Sequence, residues 1–355
     1  MKIKRIHQFS TGFHHGDAIS NEMLMIQKVL KSKGIEGEIF AENLGLSETR
    51  KVKKFNTYTS RSEEMIIYHH SIHSSVLSFI LKQNVPKILI YHNVTPHIYF
   101  QPYDLKMTFF LKQGREDLKY IKDEFLFCFA DSEYNRSELI DLGYSDVTVL
   151  PIIYDFSKLT KRKVPKENRI KQILFVGRIA PNKKQDDLIR FASIYNKYFS
   201  KDFIVNLVGH CSPEMQLYQN GLKGLLRELN ISDKVFFSSF VTDEQVNRYY
   251  QEADLFLSMS EHEGFCVPLL ESMFHEIPIM AYDAGAVKET LSGSGILFYE
   301  KKFEIIAELA YKLLYDPEFR FHITSKQNTR LQEFRSIKPE ELFLKKLKDE
   351  RFINE

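Results

Sequence analysis

Short apolar runs, each followed by a stretch with helical periodicity, recur along the first part of the chain. We predict strands at Ile3–Phe9, Lys87–Tyr91 and Phe125–Ala130, and helices at Asn21–Lys33 and Glu133–Leu142. Apolar runs that alternate with helical patterns are typical of parallel strands joined by crossover helices. The pattern therefore predicts an α/β domain with a parallel sheet.

The hydrophobic rhythm lapses at residues 156–169, which read FSKLTKRKVPKENR, and then restarts. The second part contains a predicted helix at Asp186–Phe199 and predicted strands at Gln172–Val176, Phe203–Val208, Lys234–Phe240, Leu255–Met259 and Ile277–Ala281. We interpret 156–169 as a linker between two α/β domains, 1–155 and 170–330. The remaining residues read as helices with a charged end.

Length and charge agree with this organisation. A chain of 355 residues is long enough for two domains with stable cores. The net charge of +2 gives no reason to expect nucleic-acid binding, but residues 1–166 carry 24 basic and 19 acidic side chains, while 167–355 carry 25 and 28. The basic first half could face an anionic partner or surface.

The three cysteines, Cys128, Cys211 and Cys266, form no CxxC pair, which suits a reducing compartment. The N-terminal residues lack the apolar core of a signal peptide, and no run approaches the roughly 18 apolar residues of a membrane span. We therefore expect a cytoplasmic protein whose membrane association, if any, is peripheral on the inner face of the plasma membrane.

The strongest local motif is SEHEGFCVPLLESM at 260–273, which contains Glu263 and Glu271 in an E-x7-E spacing. Because proline favours the first turn of a helix, Pro268 predicts a loop after a strand, with Glu271 in the first turn of the next helix. Backbone N–H groups at such a helix end can bind phosphate, and carboxylates accept hydrogen bonds from hydroxyls. The alternative is a surface helix with two solvated glutamates.

A second motif, ILFVGRIAPNKK at 173–184, places Arg178 where a predicted strand ends and Lys183 five residues later. Ligands of open parallel sheets gather at the carboxyl ends of strands, so both cations could reach a diphosphate. An exposed loop with ordinary charges is the alternative.

A third motif, YHNVTPHIYF at 91–100, places His92 at the end of a strand, although a single histidine is more often structural. The nearby His69, His70 and His73 could suggest a metal, but neither HExxH nor a Cys/His zinc spacing is present, so we predict no metal site.

The first loop contains Gly12 and Gly16 as GxxxG rather than GxGxxG, which disfavours a nicotinamide or flavin site. P-loop, GxSxG and DxD patterns are absent from the sequence as well.

Residues 106–122 could form a basic amphipathic helix on an anionic membrane. The basic positions and the apolar stripe beside them are Lys112, Arg115, Lys119 and Lys122, with Leu111, Leu118, Ile121 and Phe125. A surface helix that packs this stripe inward is the alternative.

Taken together, the motifs resemble the retaining family 4 glycosyltransferases of the GT-B architecture. The resemblance rests on the E-x7-E phrase, the VGR-x4-K of 176–183 and the phrase AGAVKET at 284–290, with support from ADSEYNRSEL at 130–139 and YHN at 91–93. It implies two Rossmann-like domains facing across a cleft, with an acceptor on 1–155 and a nucleotide sugar on 170–330. It also implies that 331–355 returns to the first domain.

The resemblance further implies a role for each matching residue. The catalytic residues would be His92, near the anomeric centre, Glu263, on sugar hydroxyls, and Arg178 with Lys183, on the diphosphate. Donor binding would involve Gly264, Phe265, Cys266, Val267 and Glu271, the last on the ribose, and acceptor binding Gly16 and Asp17. Two cations and a helix end would stabilise the leaving phosphate without a metal or cofactor.

The sequence departs from the family pattern at two positions where many members have glycine, Lys184 and Cys266. The phrases GDAISNE and YHNVTP resemble those of polysaccharide mannosyltransferases, which favours GDP-mannose as donor and a lipid-linked or polysaccharide acceptor. The alternative hypothesis is a non-catalytic GT-B-like scaffold that docks on a membrane or a partner enzyme.

Overall fold

The computed structural model describes residues 3–14, 16–45, 52–161, 170–238 and 241–353. The chain divides into two compact units. The first comprises Met1–His97, Lys106–Asp155 and Ile337–Glu355, and the second Ile98–Leu105 and Phe156–Ser336. Part of the predicted linker, 162–169, lies outside the described residues.

The first half of the chain alternates strands and helices. Its elements are β1 (Arg5–Phe13), α1 (Ala18–Ser32), β2 (Ile39–Leu44), β3 (Val52–Lys54), β4 (Glu64–His70), α2 (Ser75–Leu81), β5 (Lys87–Tyr91), α3 (Leu105–Tyr120), β6 (Cys128–Ala130), α4 (Glu133–Asp141) and β7 (Val147–Val149).

The second half repeats the alternation and ends in three consecutive helices. Its elements are β8 (Lys171–Val176), α5 (Gln185–Tyr198), β9 (Phe203–Val208), α6 (Gln216–Glu228), β10 (Val235–Ser238), α7 (Asp243–Glu252), β11 (Leu255–Ser258), α8 (Val267–Phe274), β12 (Ile279–Tyr282), α9 (Val287–Leu291), β13 (Ile296–Phe298), α10 (Phe303–Tyr315), α11 (Pro317–Ile337) and α12 (Pro339–Asp349).

Each unit is built on one parallel sheet. Within the described residues, the first sheet has the order β3-β2-β1-β4-β5-β6-β7 and the second the order β10-β9-β8-β11-β12-β13. The first strand of each unit lies in the middle of its sheet. The order in which later strands are added reverses between β1 and β4 in the first sheet and between β8 and β11 in the second. Ligands of doubly wound folds bind at these two reversal points, beyond the carboxyl ends of the strands. The fold class is therefore the predicted pair of Rossmann-like domains.

The central strands are buried on both faces because helices cover both sides of each sheet. All seven residues of β4 are buried, and so are all four of β11. The sequence analysis did not predict β4, whose run EMIIYHH ends in polar residues that the fold nevertheless buries.

The last helix packs on the first unit. Phe343 and Leu347 of α12 are fully buried in the same hydrophobic cluster as Ile6, Ile67 and Phe129. The predicted boundary at 331 falls inside the continuous helix α11, so the division lies instead at the turn between α11 and α12. Lys338 occupies this turn in the left-handed conformation, with φ 51°, and Pro339 begins the next helix.

Helix α3 contradicts the membrane-facing interpretation of its apolar stripe. Leu111, Leu118, Ile121 and Phe125 are all buried. The Arg115 side chain donates to the Val94 carbonyl at 2.8 Å. The stripe therefore packs inward, as expected for a surface helix whose apolar face covers its own core. In the described part of the chain, no helix combines the length and hydrophobicity needed to cross a membrane.

Candidate functional site

The loops that follow β8 and β11 meet at the reversal point of the second sheet. Leu255 and Phe256 of β11 are in register with Ile173 and Leu174 of β8, so both strands end at the same edge. The Glu261 N–H donates to the Asn182 carbonyl at 2.9 Å. This backbone contact joins the two loops carrying the residues predicted to bind the donor.

Lys183 and Glu263 form an ion pair. The Lys183 Nζ lies 2.7 Å from the Glu263 Oε2, and the two side chains are 18% and 9% exposed. Arg178 lies in the same loop as Lys183 and is exposed. The structure thus brings two of the four predicted catalytic residues, 80 positions apart in the chain, into direct contact and keeps Arg178 accessible to solvent.

Helix α8 begins beside this ion pair. Its N-cap, Cys266, has φ 74° and ψ 64° and provides no side-chain cap, and Pro268 occupies the first turn. Val267 is the first helical residue, so Glu271 lies in the second turn rather than in the predicted first turn. An N-terminus without a side-chain cap leaves its partial positive charge available to an anion.

Both departures from the glycine pattern fall on left-handed backbone. Lys184 has φ 53° and Cys266 has φ 74°. Glycine adopts these angles without cost, whereas a residue with a Cβ does so at about 1–2 kcal/mol. Lys184 and Cys266 therefore adopt the left-handed conformation that glycine favours, although both have a Cβ. Burial, together with the charge of Glu263, raises the pKa of the Cys266 thiol well above its ordinary value.

The AGAVKET segment holds the loop of Glu263 from the other side. The Ala286 N–H donates to the Glu263 carbonyl at 3.0 Å, and the Thr290 hydroxyl donates to the Phe265 carbonyl at 2.6 Å. Gly285 has φ 58°, and a Cβ built on it would lie 2.2 Å from the Glu263 carbonyl oxygen. In the sequence, this segment indicates only a family resemblance. In the structure, it supports the backbone of the loop that carries Glu263.

Glu271 has its own partner. The Tyr250 hydroxyl donates to the Glu271 Oε2 at 2.5 Å, and the Tyr250 ring stacks on His275 with centroids 5.4 Å apart. Tyr250 is buried and comes from α7. A neighbouring helix therefore fixes the direction of the Glu271 side chain, which the sequence predicts to bind the ribose. The sequence contained no signal for this tyrosine because its role depends on helix packing.

His92 lies at the carboxyl edge of the first sheet within a buried polar cluster. Its Nδ1 lies 2.9 Å from the Asp131 Oδ2, and its Nε2 lies 2.8 Å from the Nδ1 of His69. Burial alone would lower the pKa of His92, but Asp131 and Glu22 outweigh it and raise the pKa. Burial and the charge of Asp131 raise the pKa of Glu22 to about 8.

Glu22, His69 and His92 have ligand atoms within 4.8 Å of one another, a spacing compatible with a metal. Two nitrogens bound to one tetrahedral zinc at about 2.0–2.1 Å would lie roughly 3.3 Å apart. The 2.8 Å between His69 Nδ1 and His92 Nε2 is instead a hydrogen-bond distance. In the observed arrangement, the two histidines are hydrogen-bonded to each other, and the Glu22 Oε2 lies 3.7 Å from the His92 Nδ1.

The predicted acceptor residues lie at the start of α1. Gly16 is exposed, with φ 78°, and the Asp17 Oδ2 accepts hydrogen bonds from the N–H and the hydroxyl of Ser20, both at 3.1 Å. Asp17 is therefore the N-cap of α1, a structural role that sequence reasoning did not assign to it.

The chain matches a known family over its second unit. Residues 157–330 match the model of the glycosyl transferases group 1. Mannosylfructose-phosphate synthase of Agrobacterium fabrum is 28% identical over 156 residues, which cover 43% of this chain and 34% of the relative. The chain thus matches only about a third of that relative's length.

Solved structures match nearly the whole chain. Sucrose-phosphate synthase from Thermosynechococcus elongatus is 15% identical, with a TM-score of 0.76 over 98% of this chain and 99% of that one. Alr3699/HepE of Anabaena, in complex with UDP-glucose, is 17% identical, with a TM-score of 0.76 over 97% and 99%. At these identities the likeness concerns the fold. Residues 157–330 therefore match the glycosyl transferases group 1 family, and the chain has the GT-B fold.

Proposed function

We propose that this protein is a retaining glycosyltransferase that moves a sugar from a nucleotide sugar, GDP-mannose, to a lipid-linked or polysaccharide acceptor, without a metal. The observation that carries the proposal is the pairing of Lys183 with Glu263 beside the N-terminus of α8. A cation, a carboxylate and a helix N-terminus together match the phosphates and hydroxyls of a nucleotide sugar. The family match over 157–330 covers this region.

Transfer of the sugar requires positive charge beside the leaving group. When the acceptor oxygen bonds to the anomeric carbon, the bond from that carbon to the diphosphate oxygen breaks, and negative charge develops on the departing nucleoside diphosphate. The acceptor proton passes to the leaving phosphate. Lys183, Arg178 and the α8 N-terminus would stabilise this anion. Lys183 would then exchange its bond with Glu263 for one with phosphate, leaving Glu263 to accept from sugar hydroxyls.

The mannose preference is supported by two relatives whose names include a mannosyl group. The Anabaena protein of the same fold was solved with UDP-glucose, so a UDP-sugar is the main competing donor. A thermal-shift screen with UDP-, GDP- and ADP-sugars separates the two. We expect GDP-mannose to raise the melting temperature most, and a larger rise with UDP-glucose would overturn the mannose assignment.

Variants test the site itself. Arg178→Ala and Glu271→Ala should weaken donor binding at least tenfold, because each removes a proposed ligand contact. Arg190→Ala is the matched control, since Arg190 is a half-exposed cation on α5 that pairs with Asp186. Equal loss in the control and in Arg178→Ala would contradict the assignment. Activity in excess chelator tests metal independence, and the anomeric configuration of the product tests retention.

The proposal includes peripheral contact with an anionic membrane. It is supported by the basic first half of the sequence and by α3, which exposes Lys106, Phe109, Lys112 and Tyr120 rather than the buried stripe. Binding to vesicles with anionic lipids should fall at high salt and on Lys106→Glu with Lys112→Glu. Salt-resistant vesicle binding without any response to sugar nucleotides would favour the scaffold alternative.

A further inference from the structure

The buried cluster around His92 is a chain of hydrogen bonds whose directions can be assigned. It links Gln8 and His69, from β1 and β4, with His92 and Asp131, which directly follow β5 and β6, and Glu22 of α1 lies beside it. All five are buried. A buried polar network has few alternative arrangements, because each donor must find an acceptor within the protein.

One end of the chain is fixed by a backbone carbonyl. The Gln8 Nε2 donates to the Met23 carbonyl at 2.8 Å, which orients the amide and turns its Oε1 towards His69. The His69 Nε2 lies 3.0 Å from this oxygen and therefore carries the hydrogen. Burial, together with the charge of His92, lowers the pKa of His69 well below its ordinary value, so the ring is neutral. The His69 Nδ1 is then an acceptor.

The other end is fixed by a carboxylate. His69 Nδ1 accepts, so His92 Nε2 must carry a hydrogen and donate across the 2.8 Å between them. The His92 Nδ1 faces the Asp131 Oδ2 at 2.9 Å, and an ionised carboxylate only accepts. With both ring nitrogens donating, His92 is an imidazolium.

The surrounding charges agree with this assignment. The groups that face His92 are Glu22 on α1, Asp17 at the N-cap of that helix, His69 and His70 on β4, and Asp131 after β6. The Glu22 Oε1 accepts from the Ile153 N–H at 3.1 Å, and its Oε2 lies 3.7 Å from the His92 Nδ1. The Asp131 carboxylate makes the direct contact with His92 and is its counter-ion, as expected of a charge removed from water.

We propose that His69 and Asp131 are positioning residues that keep His92 as a buried imidazolium, so that His92 has no free ring nitrogen with which to act as a general base. This inference rests on the proposed function for the role of His92, but not for its protonation state. A ring with both nitrogens already donating has no lone pair to accept a proton from an acceptor hydroxyl.

The protonation state is measured directly on the full chain labelled with ¹⁵N-histidine. Imidazolium and the two neutral tautomers differ in the shifts of their ring nitrogens, and His92→Gln identifies the signal among the 12 histidines. We expect the nitrogen signals of His92 to titrate at higher pH than those of a histidine of ordinary pKa, about 6.5, so that His92 is still mainly imidazolium at pH 7. A neutral tautomer at pH 7 would overturn the proposal.

Two variants test the positioning residues. His69→Asn keeps an acceptor oxygen near the Nδ1 position and should preserve the imidazolium signal, whereas Asp131→Asn removes the counter-ion and should make His92 neutral by pH 7. An imidazolium that survives Asp131→Asn would contradict the assignment. Added zinc provides a further check, because a shift of the ring-nitrogen signals of His69 and His92 together with a higher melting temperature would show a metal site instead.

Kinetic measurements test the catalytic role of His92 separately from its protonation state. With an imidazolium, turnover should fall as pH rises through the pKa of His92, and Asp131→Asn should move this fall to lower pH without an equal change in the donor KM. Turnover that rises with pH in the same range would identify a general base and refute the inference. If no donor binds at all, the proposed function fails, while the nitrogen spectrum still decides the protonation state.

Discussion

Replacing Gly285 with alanine places a methyl group where the backbone of Glu263 already lies. The new Cβ would be 2.2 Å from the Glu263 carbonyl oxygen, whereas ordinary contact begins at 3.4 Å, so the loop must retreat by about 1 Å. The left-handed φ of 58° adds its own cost, because alanine adopts it unfavourably. The substitution thus strains the backbone and displaces the proposed sugar ligand together.

The expected magnitude follows from these two terms. Left-handed alanine costs about 1–2 kcal/mol and forced repacking about 1–3 kcal/mol, so the loss is about 2–5 kcal/mol. For a unit of this size, each kcal/mol lowers the melting temperature by roughly 2–4 °C, which predicts a fall on the order of 10 °C. A displacement of about 1 Å at a reacting centre can reduce activity by about 100-fold.

The matched control is Gly224→Ala in α6. A Cβ there meets nothing within 4 Å, and alanine favours a helix over glycine by about 0.5–1 kcal/mol, so this variant should melt slightly higher. Differential scanning fluorimetry and donor titration of both proteins measure the contrast. If Gly285→Ala has the melting temperature and the donor affinity of the unsubstituted protein, Gly285 does not support Glu263 as proposed.

Three further predictions concern single residues. Cys266→Gly should be more stable than Cys266→Ala by about 0.5–1 kcal/mol in urea unfolding, because both variants lose the thiol but only glycine adopts φ 74° without strain. A Cys266→Ala variant that is more stable than Cys266→Gly would show that this backbone position is not strained. Gln327→Leu should cost about 1–3 kcal/mol for each of two buried backbone groups, the Ile279 N–H and the Ile277 carbonyl, and an unchanged urea midpoint would argue against this clamp. The raised pKa of Glu22, about 8, means that its stabilising contribution is complete below pH 4.5 and is lost as pH rises through 8. Glu22→Gln should therefore gain stability relative to wild type between pH 5 and pH 9, and parallel pH profiles would refute this.

The secondary structure that the sequence predicted best consists of continuous apolar runs. The strands Lys87–Tyr91 and Phe203–Val208 have the predicted bounds. Strands with polar residues were missed, including Ile39–Leu44 and Glu64–His70. In the second of these, His69 and His70 are buried because their hydrogen-bond partners come from other elements, a fact that no local pattern can contain.

The sequence by itself determined the alternating parallel architecture and the loop residues at the carboxyl ends of the strands, because apolar periodicity and loop motifs are local properties. The tertiary structure decided which of these residues touch. Lys183 reaches Glu263 because β8 and β11 are neighbours, and His92 reaches His69 and Asp131 because β5 lies between β4 and β6. Strand order sets these contacts over distances of 80, 23 and 39 residues, which spacing along the chain does not specify.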